Sequence, residues 1–83
     1  MKIQVRYFAS IREAVGQSQE EWHTQATTLA QLRDELIARG GVWAQALSRQ
    51  RAVRTALDQS LCDESMALHE GCEVAFFPPV TGG

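Results

Sequence analysis

Only one stretch of this chain has the apolar spacing of a sustained helix, and that limits the fold more than any other feature. Thr28-Leu29-Ala30-Gln31 has the spacing of a capping box, Leu29, Leu32, Leu36 and Ile37 then recur on one helical face, and Gly40-Gly41 close the run. A lone amphipathic helix cannot bury its own stripe, so a flat apolar surface must lie against it. The rest of the sequence supplies strands for that surface. Lys2-Ile3-Gln4-Val5-Arg6-Tyr7-Phe8 alternates polar and apolar, with Ile3, Val5 and Tyr7 inward and Phe8 outward. Gln19–His23, centred on Trp22, is a weaker strand candidate. Residues 53–57 and 60–62 read as a strand pair around an Asp58-Gln59 turn, and Glu73-Val74-Ala75-Phe76-Phe77 is the strongest late strand.

Smaller elements fill the gaps. Ser10-Ile11-Arg12-Glu13 has capping-box spacing and predicts a short helical turn stopped by Gly16. One more helical turn carrying Trp43 is expected over residues 42–47. Residues 63–70 read as a loop with Met66 and Leu68 tucked inward, followed by a turn at Gly71. The order strand, strand, helix, strand, strand, strand makes this an α+β chain, a mixed sheet packed on one main helix. With the first and last strands central and parallel, it becomes a β-grasp, the ubiquitin-like architecture.

With 83 residues there is room for one core and little for an enclosed catalytic cavity, which favours a carrier, a binding module or a subunit. A formal net charge of −2 and dispersed arginines argue against nucleic acid, which needs clustered cations. Arg49, Arg51 and Arg54 form the one basic cluster and read as a solvated loop. No apolar run approaches the ~18 residues of a membrane helix. Met1 leads directly into a strand pattern rather than a signal peptide, so a cytoplasmic location with Cys62 and Cys72 as free thiols is expected. Those cysteines, with His23 and His69, lack metal-ligand spacing, so no metal site is expected.

The sequence after the last strand has a different character. Residues 1–77 read as the domain and 78–83 as a tail. Pro78-Pro79 ends the strand and holds the chain extended, so Val80-Thr81-Gly82-Gly83 is expected to project away from the domain. Two terminal glycines arise by chance in about one chain in 200, so alone they are compatible with a frayed end. A stiff spacer leading to a tip without side chains instead describes an arm for a narrow channel. A terminal carboxyl has a reference pKa of about 3.5 and is a poor electrophile near neutrality. Acyl chemistry at Gly83 therefore needs prior activation, such as adenylation with ATP. This chain has no phosphate-binding loop, so a separate enzyme must do it.

Alternation in the last strand places Glu73, Ala75 and Phe77 outward. Beside the first strand, Phe77 then shares the solvent face with Phe8, and Leu61 joins them. Exposed apolar side chains gathered on one face mark a partner site unless the domain covers them itself.

Gly71-Cys72-Glu73-Val74-Ala75-Phe76-Phe77-Pro78-Pro79-Val80-Thr81-Gly82-Gly83 closely resembles the C-terminus of the small, sulfur-carrying subunits of molybdopterin synthase, a ubiquitin-like family. Arg12-Glu13 followed by Gly16, and the turn region from Ala56 to Gln59, match as well, and the resemblance spans the whole chain. It implies a β-grasp fold and a sulfur cycle. An activating enzyme uses ATP and Mg²⁺ to adenylate Gly83, a sulfur donor converts the adenylate to a thiocarboxylate, and the tail enters a large catalytic subunit. There the sulfur attacks a cyclic pyranopterin precursor to build the molybdopterin dithiolene. The resemblance further implies a heterotetramer of two small and two large subunits, with no cofactor held by the small one. It places Phe8, Leu61, Phe77, Pro78, Pro79, Val80 and Thr81 against partners, and Gly82 and Gly83 at the reacting end. The chain departs from the family pattern at Cys72, where Asp is usual, and at Asp58, where Asn is usual; both are expected in turns. Neighbouring readings are a related carrier for thiamine or tRNA thiolation, and a protein modifier joined through Gly83.

Overall fold

Backbone pairing joins the beginning of the chain to its last strand at the centre of the sheet. In the computed structural model, which describes residues 1–79, β1 (Lys2–Tyr7) runs parallel to β5 (Glu73–Phe77), with Val5 opposite Val74 and Tyr7 opposite Phe76. β2 (Gln19–His23) pairs antiparallel on the outer side of β1. On the other side β3 (Arg54–Leu57) pairs with β5, and β4 (Ser60–Cys62) forms the edge, giving the order β2-β1-β5-β3-β4. A mixed five-stranded sheet with helices on one side is the β-grasp arrangement that the family resemblance implies, where the residue pattern alone supports α+β.

The core follows the two periodicities. Ile3, Val5 and Tyr7 of β1 and Val74 and Phe76 of β5 are fully buried, as strand alternation requires. Leu29, Leu32 and Leu36 of α2 (Leu29–Ile37) are equally buried and share one cluster with them, while Ile37 lies at its margin. At the start of α2 the Thr28 hydroxyl accepts the Gln31 N–H at 3.3 Å, and Gln31 Oε1 accepts the Thr27 N–H at 2.8 Å. The capping box is thus offset by one residue on its return bond. Burying the three leucines stabilises the fold by roughly 2 kcal/mol each.

Several local expectations are corrected. α1 (Ala9–Val15) begins before Ser10, its N-cap is Phe8, and no side chain caps it. Ser10 already lies within the helix, so its hydroxyl is misplaced for the expected capping box. Instead the Phe8 carbonyl accepts the N–H groups of Ile11 and Arg12 at 3.1 and 3.2 Å, and Ala9 makes the corner at φ 52°. Gly16 stops the helix in the left-handed region, as expected. Gly41 opens α3 (Gly41–Ala46) rather than ending α2, which closes at Ala38. Leu68 is buried but Met66 is exposed. The loop carrying both is pinned to α2 by backbone bonds at Met66 and Glu64, which leaves the Met66 side chain outside.

Arg33, one of the dispersed arginines, is 4% exposed. Its guanidinium donates to the carbonyls of Leu47, Ser48 and Arg51 at 2.8, 2.7 and 3.2 Å and to Glu64 at 2.7 Å. A buried cation is tolerable when so fully hydrogen-bonded, and here it ties the connection after α3 to the loop after β4. Glu64 also accepts from Arg49, which pairs with Asp34 at 2.9 Å. Among the described residues no helix is long and apolar enough to cross a membrane.

Two carboxylates in this frame hold their protons weakly. Burial alone would raise the Glu64 carboxyl, but Arg49 and Arg33 outweigh it and hold it below the ordinary glutamate range. Glu35 behaves alike: burial opposes its charge, and donors on Thr24, Trp22 and Gln25 prevail. A carboxyl depressed in the folded state stabilises the fold above its unfolded value of about 4.3, and that contribution fades as pH falls through the folded value. The urea midpoint is therefore expected to be flat near neutrality and to drop as the pH falls from about 5 to 3, with Glu35→Gln flattening the slope. An unchanged slope in that variant would contradict the assignment.

Candidate functional site

The sheet face opposite the helices carries a shallow apolar groove. Residues paired across neighbouring strands share a face, so Ala75 on β5 stands between Arg6 on β1 and Ala56 on β3, and Leu61 on β4 lies beyond Ala56. Ala56 and Ala75 are small and buried, forming a floor, while Phe8, Leu61 and Phe77 stand around it. Gln59, Arg6 and Glu73 complete the groove, which encloses about 580 Å³. Leu61 is 70% exposed and Phe8 37%, and Phe77 is half-buried. Among the described residues no helix or loop closes over these three side chains.

Each wall is placed by a local backbone device. The Phe8 N–H donates to the Phe76 carbonyl at 3.2 Å, continuing the β1–β5 ladder one residue further, and the left-handed corner at Ala9 then turns the chain away. Phe8 is left at the rim. Leu61 is placed by the two-residue turn between β3 and β4, where Asp58 and Gln59 take φ values of 49° and 70°. Positive φ at both positions matches the twist of the flanking strands. Asp58 also hooks this hairpin to β5: its N–H donates to the Glu73 carbonyl at 2.8 Å, and its Oδ1 accepts the Glu73 N–H at 2.9 Å. Its other carboxylate oxygen lies 3.1 Å from His69 Nε2.

Phe77 ends β5, and Pro78 and Pro79 follow it half-buried. Val80, Thr81, Gly82 and Gly83 lie outside the described residues. Of the side chains singled out by sequence, Phe8, Leu61 and Phe77 are therefore brought to one groove. Arg6 and Glu73 were missed, although strict alternation on the two central strands already puts both outward and near each other. The Arg6 guanidinium lies 5.2 Å from the Phe8 ring centroid, and its Nη1 is 3.7 Å from Glu73 Oε2. Its Nε is buried without a hydrogen-bond partner among the described residues.

Cys72 is fully buried in the core cluster, and burial pushes its thiol up, which disfavours a nucleophilic role. On the helix side, the Tyr7 hydroxyl donates to Glu20 at 2.6 Å and accepts from Trp43 at 3.3 Å. Burial and the Glu20 carboxylate push that phenol well above its ordinary range, so it stays neutral. Neither group faces the groove.

A sequence model described as the ThiS family matches residues 5–83. The protein named molybdopterin synthase sulfur carrier subunit from Escherichia coli K12 is 41% identical over 81 residues, covering 98% of this chain and 99% of that protein. Among solved structures, a chain in the protein–protein complex of subunits 1 and 2 of the molybdopterin-converting factor from Helicobacter pylori 26695 superposes with a TM-score of 0.65. It is 28% identical, with 100% of both chains covered. SAMP1 from Haloferax volcanii has a TM-score of 0.77 at 20% identity, again with 100% of both chains covered, a likeness of fold alone.

The Asp58 hook yields a direct test. Asp58→Ala removes the acceptor for the Glu73 N–H and places alanine at positive φ, and is expected to cost about 1–2 kcal/mol. Asp58→Asn keeps a carbonyl acceptor and tolerates the left-handed region, so it is expected within about 0.5 kcal/mol of the parent. Urea unfolding of the two variants checks this, and equal losses would contradict the hook.

Proposed function

The chain belongs to the ThiS family, and on that premise we propose that it is the sulfur carrier subunit of a molybdopterin synthase, with Gly83 as the loaded end. The observation that carries this reading is the position of the groove beside the end of β5. Phe77 is both a wall of the groove and the last strand residue before Pro78-Pro79. A protein seated on the groove therefore meets the root of the tail. Docking and delivery of the terminus are then one event.

The chemistry follows from the carboxylate. An activating enzyme, using ATP and Mg²⁺, joins the Gly83 carboxylate oxygen to the α-phosphate and releases pyrophosphate. A sulfur nucleophile from a donor then attacks the acyl carbon. The C–S bond forms as the C–O bond to AMP breaks; where the attacking sulfur is a donor persulfide, a second thiol then cleaves the acyl disulfide, leaving the donor as a disulfide and Gly83 as a thiocarboxylate. Carried into the active site of the large subunit, that sulfur attacks the cyclic pyranopterin precursor. Water hydrolyses the resulting thioester to leave the sulfur on the pterin and return the Gly83 carboxylate, and two such transfers complete the dithiolene. Tethering the sulfur to a docked domain raises its local concentration far above that of free sulfide. Phe8, Leu61, Phe77, Pro78, Pro79, Val80 and Thr81 serve contact, while Gly82 and Gly83 pass where a side chain would clash. The carrier itself needs no bound cofactor, and it works in the cytoplasm within a heterotetramer of two small and two large subunits.

Deleting Gly83 is expected to abolish dithiolene formation in a reconstituted synthase, while the unfolding midpoint and binding to the large subunit stay close to those of the parent chain. Dithiolene formation by the truncated chain would overturn the reading, and so would its attachment to lysines of other proteins as the main product of the full chain.

A further inference from the structure

Two arginines stand on the groove face at the end where β5 runs out. Arg6 lies opposite Ala75, and Arg54 lies opposite Phe77 in the β3–β5 register, so both point to the side that the helices leave open. Arg54 is exposed and makes no ion pair among the described residues, and it lines a second depression that shares Leu61 with the groove. Arg6 is only loosely matched, at 3.7 Å from Glu73, and its buried Nε has no acceptor. Phe8 holds the guanidinium plane in place at 5.2 Å. Both cations belong to a chain whose formal net charge is −2, so this end of the groove departs from the balance of the whole.

We infer that Arg6 and Arg54 select the partner: the segment of the large subunit that sits on this face brings an apolar side chain to the floor over Ala56 and Ala75, flanked by carboxylates that pair with the two guanidiniums. The identity of that partner rests on the sulfur-carrier reading; the charge pattern does not. Arg6, whose side chain is 39% exposed, offers its outer guanidinium nitrogens to one carboxylate, in the planar geometry that suits such pairs. Arg54, more exposed, acts chiefly by attraction at a distance, which accelerates encounter and orients it. A neutral or basic segment would leave the Arg6 donor desolvated and unmatched and would be rejected.

The test is the association of the full chain with the cognate large subunit, followed by stopped flow across a range of sodium chloride concentrations. Arg6→Glu and Arg54→Glu are each expected to slow association about tenfold at low salt, and the double variant to lose the salt-induced slowing. Arg6→Lys keeps the charge without the planar fork of donors, so its association rate is expected to hold while dissociation quickens. Thermal unfolding of each variant gives the folded fraction. Should a glutamate variant fail to fold, Arg6→Gln and Arg54→Gln make the same comparison without repulsion. Parent-like rates and salt slope in the glutamate or glutamine variants would overturn the inference and leave the carrier reading standing, and faster association would overturn it by showing a basic partner. Failure of the parent chain itself to bind the large subunit would overturn both.

Discussion

The parallel pairing of β1 with β5 governs most of what this chain presents to others. Because Tyr7 lies opposite Phe76 and the ladder continues to the Phe8 N–H, the end of the first strand and the end of the last are neighbours. A parallel pair cannot be closed by a tight turn. The intervening sequence must cross over, and it does so with α1, α2 and α3 packed against the inner face. Placing every helix on one side buries Ile3, Val5, Val74 and Phe76 and leaves the other side bare.

What fills that bare side is selected by size. Ala56 and Ala75 are buried by their neighbours alone, whereas larger residues there would level the groove. Phe8, Leu61 and Phe77 remain as walls because each is set by a backbone constraint: an extended ladder, a hairpin turn with two positive φ values, and the last residue before proline. Rigid placement matters for a carrier, since contacts already ordered before docking cost less entropy on binding. The Arg33 network contributes from the far side by fixing the loop after β4 to α2.

Much of this was legible in the order of residues, for physical reasons that differ by element. Alternation at Lys2–Tyr7 is unambiguous because one face is apolar and the other polar. In Glu73–Phe77 the outward Ala75 and Phe77 are apolar too, and the run reads as a strand by its β-forming residues and the prolines that end it. The α2 stripe is equally clear. Ser10 misled because capping-box spacing marks only a possible start, and the corner at Ala9 began the helix earlier. Arg33 was invisible, since nothing local distinguishes an arginine that meets three carbonyls 14 to 18 residues away from one in water. Phe8 and Phe77 could be assigned outward faces from pattern, whereas the three-residue strand of Leu61 has no facing of its own, and the meeting of all three needed the strand order. Arg6 and Glu73 joined the groove for the same reason. The four residues from Val80 to Gly83 carry their reading by sequence and family membership alone.

Everything functional about the chain turns on whether its terminal carboxylate is an acyl handle that another protein energises. Intact mass spectrometry after incubation with an activating enzyme, ATP, Mg²⁺ and a sulfur source measures this directly. The expected product is the whole chain with one oxygen at Gly83 exchanged for sulfur, formed only when ATP is present. A chain of unchanged mass, in a reaction that loads another carrier of the family, would contradict it.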